Sequence, residues 1–242
     1  MFELFVMPLV DFWAQYADET DPEHLSQVLS DLQEVLSKHF EMPVKWEETL
    51  SDEESSVEAD ALDSECIYAL RALAAWLEIH GSIEGFEVGD EPWLHPILET
   101  LDERLQNDQE VEHFPQILNS DDADVVAFVP VDLPNVAILE DEEDDEEEIN
   151  FSIGSLPGLQ RELERIRLAL GIEEGVEEEL DSVVFDADQD PMALPRCACL
   201  VLMARVKEAL AKKMPLMLQL GDGDEYSDEE EVEEGGEPEE RD

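Results

Sequence analysis

Apolar positions along this chain follow two periods, and the changes between them predict its elements. The opening Met1-Phe-Glu-Leu-Phe-Val-Met alternates and reads as a first strand or helix. Asp21-Pro22 supplies an N-cap and a first helical residue, followed by Leu25, Val28, Leu29, Leu32, Val35 and Leu36 at helical spacing. Asp63 or Ser64 caps a second helix, with Ile67, Leu70, Leu73, Ala74 and Leu77 inward and Gly81 as its stop. A third helix is expected from about Pro92 to Gln106, with Trp93, Ile97, Leu98, Leu101 and Leu105 on one face. The period then shortens. Val125-Val-Ala-Phe-Val-Pro-Val131 is β-branched and aromatic and predicts a buried strand, with Val136 to Leu139 pairing beside it. Ile153-Gly-Ser155 leads into a helix with Leu159, Leu163, Ile166 and Leu170 inward, ended by Gly171. A helix from about Pro195 to Lys213 and a last strand from Pro215 to Leu220 complete the pattern.

These elements predict an α+β fold: a small, largely antiparallel sheet packed with about five helices, in a single domain over residues 1–220. Acids accumulate between the apolar segments at about 47–63, 140–149 and 173–190. These stretches read as solvated insertions, and 221–242 reads as a disordered acidic tail.

Charge changes the picture most. The chain carries 13 Lys and Arg against 67 Asp and Glu, a formal net charge of −54 over 242 residues. Nine consecutive carboxylates run from Glu140 to Glu148, and the tail from Gly221 adds thirteen acids and one base, Arg241. Without both segments the body still holds 45 acids against 12 bases. Such a surface repels nucleic acid, anionic membrane and its own copies, which favours a monomer, and it attracts basic protein faces at long range. The hydrophobic share of 43% is that of an ordinary globular protein, so the acid has not displaced the core. Salt adaptation is a weaker account of the charge, because Glu outnumbers Asp and the acids come in blocks.

No apolar run approaches the roughly 20 residues of a membrane span, and the N-terminus lacks the basic region of a signal peptide. Three cysteines, Cys66, Cys197 and Cys199, do not make a disulfide framework, so a reducing cytoplasm is expected. Eight of the thirteen bases (Arg161, Arg165, Arg167, Arg196, Arg205, Lys207, Lys212, Lys213) fall between 161 and 213. Pairing with neighbouring acidic loops is the expected use, and a docking patch for the acidic tail is the alternative.

The search for chemistry returns little. Cys197 and Cys199 lie in an apolar helical stretch and read as core, without the second ligand pair of a zinc site. No two of His24, His39, His80, His95 and His113 have metal-ligand spacing on one helix face. There is no Walker motif, no GxGxxG and no EF-hand spacing, so neither cofactor nor metal is expected.

One stretch carries a resemblance. His113-Phe114-Pro115-Gln-Ile-Leu-Asn119-Ser120-Asp121, followed by Phe128-Val-Pro130-Val-Asp132-Leu-Pro134, resembles a pattern of uncharacterised bacterial proteins that reads roughly FPHLLxHSDxxGYYxPVDFxxP. The resemblance extends over about residues 63–220 through Gly154-Ser155 and Met214-Pro-Leu-Met-Leu218. Asn119 stands where that pattern has His, and Val125-Val126-Ala127 where it has Gly-Tyr-Tyr. The resemblance implies kinship with small acidic α+β accessory or immunity partners in bacterial conflict systems, and it transfers no activity.

The sequence therefore predicts a non-enzymatic, cytoplasmic interaction protein that binds a basic protein partner, and neither nucleic acid nor membrane directly. Glu140, Asp141, Glu142, Glu143, Asp144, Asp145, Glu146, Glu147 and Glu148 are the expected steering residues. Trp46 is the expected exposed anchor, Phe86 and Trp93 are further candidates, and Trp93 is the one whose spacing points to the core. Phe114, Pro115, Ser120, Asp121, Pro130 and Asp132 form a motif of unassigned role. DNA mimicry stands second, because a mimic needs acids on ordered structure and the densest acids here fall in predicted loops. An enzyme of unknown type, resting on the Ser120 to Asp132 segment, stands third.

Overall fold

The computed structural model describes residues 1–16, 21–48, 60–107, 109–119, 125–139, 151–177 and 190–221. In chain order these form β1 (Phe2–Val6), α1 (Leu9–Tyr16), α2 (Pro22–His39), β2 (Asp60–Leu62), α3 (Ser64–His80), a 3-10 turn (Pro92–Leu94), α4 (Pro96–Gln106), α5 (Pro115–Leu118), β3 (Val125–Val129), β4 (Ala137–Leu139), β5 (Phe151–Ser155), α6 (Leu156–Ala169), α7 (Ala193–Lys212) and β6 (Leu216–Leu220). The six strands make one sheet in the order β2-β1-β6-β3-β5-β4, antiparallel at every pairing except β3 with β5.

Both faces of this sheet are covered, which is why β3 reads as an unbroken apolar run. Val126 and Phe128 point into a core built with α3, α6 and α7, beside Leu4 and Leu216. Val125, Ala127 and Val129 point into a second core with Ile153, Met217 and the helices α1 and α2. The helical registers follow the sequence pattern. In α2 the buried positions are Leu25, Leu29, Leu32 and Leu36, and Asp21 caps the first turn through the Glu23 amide. In α3 Asp63 is the cap, and Gly81 ends the helix at a positive φ of 70° that a side chain would resist.

Several expectations are corrected. Val136 to Leu139 does not lie beside β3: β4 pairs antiparallel with β5, and β5 is inserted between them. Its sequence, Phe-Ser-Ile-Gly-Ser, hides a strand behind two serines that are 1% and 0% exposed. The single helix expected from Pro92 to Gln106 is two elements, because Pro96 drives His95 to an extended ψ of 127° and breaks the register. That break turns Trp93 away from the expected apolar face. The insertion expected at 47–63 ends in β2, whose Leu62 is buried and whose Asp60 pairs with Arg205. The insertion expected at 173–190 starts with an ordered turn that buries Glu177 against Lys207. Seven α-helices are present among the described residues, two more than the five expected, because the short α1 and α5 carry too few periodic positions to announce themselves. The remaining acidic insertion, 140–149, and the tail from 222 lie outside the described residues.

Candidate functional site

The motif of unassigned role is a structural hub. Phe114 is buried, and Pro115 starts α5 at the position where a missing amide costs nothing. Two carboxylates from other helices hold the backbone here. Glu78 of α3 accepts from the amides of Glu112 (2.9 Å), His113 (2.9 Å) and Phe114 (3.2 Å). Glu162 of α6 accepts from Gln116 (2.9 Å) and Ile117 (3.0 Å), the first free amides of α5. Gln116, 1% exposed, accepts through Oε1 from the Ser155 amide at 2.6 Å, and the Ser155 hydroxyl accepts from Gly158 to cap α6. A Cβ at Gly154 would stand 2.7 Å from the Phe128 ring and 2.9 Å from Gln116 Oε1, so this crossing requires glycine.

Burial pushes the Glu162 carboxyl up to about 8, against the opposing pull of the two α5 amides and of Arg165 and Arg161. A cleft of about 420 Å³ opens beside the hub, and several of its polar groups are engaged with one another. Arg161 donates to Asp132 at 2.6 Å and Arg165 to the His113 carbonyl at 2.6 Å, and both Glu162 oxygens face α5. Pro130 is half-buried and Asp132 exposed, while Ser120 and Asp121 lie outside the described residues. The arrangement clamps α5, β5 and α6 together. Among the described residues there, no side chain stands poised as a nucleophile beside a base.

The bases of the C-terminal half pair internally, as their position beside acidic segments suggests. Arg167 binds Glu164 and the Ile172 carbonyl, Arg196 binds Asp190, Arg205 binds Asp60 and Glu208, Lys207 binds Glu177, and Lys212 binds Glu208. The Glu177 carboxyl feels burial first, yet its Lys207 partner keeps it below its ordinary value. Cys199 packs in the core with its thiol toward the Leu163 carbonyl. Cys66 and Cys197 face each other where α3 meets α7; the interaction with Cys197 and burial raise the Cys66 thiol, while the interaction with Cys66 lowers that of Cys197 against burial. No group of three His, Cys, Asp or Glu that could hold a metal occurs among the described residues.

With most of these bases paired internally, the open surface is acidic, and one stretch of described residues concentrates it. Between residues 84 and 112, Glu84, Glu87, Asp90, Glu91, Glu99, Asp102, Glu103, Glu110 and Glu112 are all exposed, against one half-buried base, Arg104. None of these nine side chains has an ion pair among the described residues. The same stretch exposes apolar surface: Trp93 is 42% exposed, Leu94 66% and Leu105 38%. The expected order of the aromatic anchors is inverted. Trp46 and Phe86 are 7% and 4% exposed and belong to the two cores, and the Trp46 indole donates to a half-buried Glu48. Trp93 is the exposed one.

The expected steering residues Glu140 to Glu148 lie outside the described residues. Sequence reading overlooked the 84–112 acids because they never run longer than two together. The available signal was the scarcity of bases there, with Arg104 and His95 alone across 29 positions. Gln116, Glu78 and Glu162 were also passed over, since nothing local marks a carboxylate that will cap another element.

No curated protein and no solved structure matches this chain. A family model does, over residues 1–218, which takes in both cores and the acidic stretch and stops short of the tail. The chain belongs to the family described as "Putative DNA-mimic protein".

Proposed function

We propose that this protein acts as a DNA mimic: it presents carboxylates where a nucleic acid presents phosphates and occupies the nucleic-acid-binding face of a basic protein. One observation carries the reading. Nine exposed carboxylates, without an ion pair among the described residues, stand on the described residues between 84 and 112, so the charge does not depend on the acidic blocks alone. Ordered display is what separates a mimic from a merely acidic chain, because a nucleic-acid groove arranges its Lys and Arg to meet charges at fixed spacing. The family description supports the same reading. Mimicry, placed second when the acids were read from sequence, thereby becomes the leading account.

The mechanism is electrostatic capture followed by apolar contact. A net charge of −54 steers encounter with a cationic face, over a Debye length of ~8–10 Å at physiological ionic strength. Release of the partner's condensed anions and burial of side chains such as Leu94 and Leu105 then hold the complex. In this reading the protein catalyses nothing, needs no cofactor and works in the cytoplasm beside its target. An accessory or immunity role in a bacterial conflict system is a setting in which such a target, a nuclease for instance, would occur.

The test is competition. The full-length protein, immobilised, should retain a basic nucleic-acid-binding protein from native lysate at low salt and surrender it to added polynucleotide but not to an equal mass of neutral polymer. Combined Glu99→Gln, Asp102→Asn and Glu103→Gln should slow association and reduce its salt dependence. A partner that stays bound with its nucleic acid in a ternary complex would overturn mimicry.

A further inference from the structure

The exposed indole in the acidic stretch says more about the partner than the charge does. Trp93 projects from a turn locked at both ends. Pro92 is buried, and the Leu94 and His95 amides close back on the Glu91 and Pro92 carbonyls at 2.9 and 3.2 Å. The His95 ring stacks on Phe86 with centroids 5.4 Å apart, bonds the Glu87 carbonyl at 3.0 Å through Nε2, and accepts from the Ile97 amide through Nδ1. The backbone that carries the exposed indole is therefore fixed before any partner arrives, and docking does not have to order it.

Acids flank it on both sides, Asp90 and Glu91 before, and Glu99, Asp102 and Glu103 on α4 after. From Glu99 to Glu103 the helix axis advances ~6 Å. Three carboxylates offset by Arg104 leave about one charge per ~3 Å. A single nucleic-acid strand carries one per ~3.4 Å and a duplex one per ~1.7 Å. Within that single turn, though not along α4 as a whole, the density is that of one strand. A duplex also hides its base faces in the stack, whereas single-strand-binding grooves pair a cationic track with aromatic side chains on which exposed bases stack.

Resting on the mimic reading, we infer that the edge from Asp90 to Glu103 is a docking surface for a single-strand-binding groove, in which Trp93 takes the place of an unstacked base and the flanking carboxylates take the place of phosphates. The complementary partner is a basic face carrying an aromatic platform.

The probes are two peptides of equal length and charge, one alternating Lys and Trp, the other Lys and Ala. They are titrated at about 0.15 M salt into full-length protein labelled with 5-fluorotryptophan and followed by fluorine NMR, with the Trp93 signal assigned by its loss in Trp93→Phe. The Lys-Trp peptide should bind about fivefold tighter or more, the low end of the stacking contribution of one base, and should move the Trp93 signal. Trp93→Leu, which keeps apolar area and removes the stacking face, should bring the two affinities together. Equal affinities in the parent protein, or a preference that survives Trp93→Leu, would overturn the single-strand inference and leave charge mimicry standing. Failure of both peptides to bind would bring down the mimic reading with it.

Discussion

Glu162 offers the sharpest test of how the hub is held. It is 3% exposed beneath α5, and burial raises its carboxyl to about 8, where the unfolded chain returns it to about 4.5. Between those values the native protein keeps a proton that the unfolded chain has released. Native stability therefore falls as pH rises from about 4.5, and this loss ends near 8, where both states are ionised. Between about pH 5 and pH 8.5 the effect amounts to ~4 kcal/mol, at ~1.36 kcal/mol for each pKa unit of separation and allowing for incomplete titration at both ends. Glu162→Gln is close to isosteric and does not titrate. Urea unfolding of both proteins across this range, at fixed ionic strength, isolates the carboxyl, because the other acids are common to both. The parent should lose ~4 kcal/mol relative to the variant between the acid and alkaline ends. A relative stability constant to within ~1 kcal/mol would refute the reasoning. It would mean that the Gln116 and Ile117 amides, aided by the positive end of α5, keep the carboxylate ionised despite burial.

Four further outcomes follow from the same structure. Gly154→Ala sets a methyl 2.7–2.9 Å from the Phe128 ring and Gln116, and should cost ~1–3 kcal/mol in urea unfolding; no loss would mean that β3 and β5 part freely. Lys207→Ala strips the buried Glu177 of a half-exposed ion-pair partner and should cost ~1–3 kcal/mol near neutral pH, most of it recovered when Glu177→Leu is added; thermal melts that barely move would show the pair to be dispensable. Ending the chain after Gly221 removes thirteen acids and one base and should hold or raise the thermal midpoint at moderate salt, because self-repulsion falls; a clear drop would assign the tail a packing role. The intact protein should leave a fluorescent duplex unshifted at physiological salt without divalent cations, since its −54 charge repels phosphate; a retained duplex would contradict this.

The sequence by itself determined the elements whose signals are local. Asp21 and Asp63 as caps, Gly81 as a stop, the leucine spacing of α2 and α6 and the apolar run of β3 all depend on residues a few positions apart. It also determined the sign and scale of the surface field, because net charge is a sum that folding does not alter. The tertiary structure decided everything that depends on distance between segments. Ser152 and Ser155 look like loop residues until β5 slides between β3 and β4 and buries them. Glu78 and Glu162 are two acids among 67 until α5 and the segment leading into it arrive with unpaired amides for them to hold. Trp46 and Trp93 exchanged their expected places for the same reason. Trp46 follows α2 back onto the second core, while one proline at position 96 broke a helical register and left Trp93 facing solvent. Propensity and capping act over a turn of helix and can be read along the chain, whereas burial is a property of the assembled surfaces and exists only once they meet.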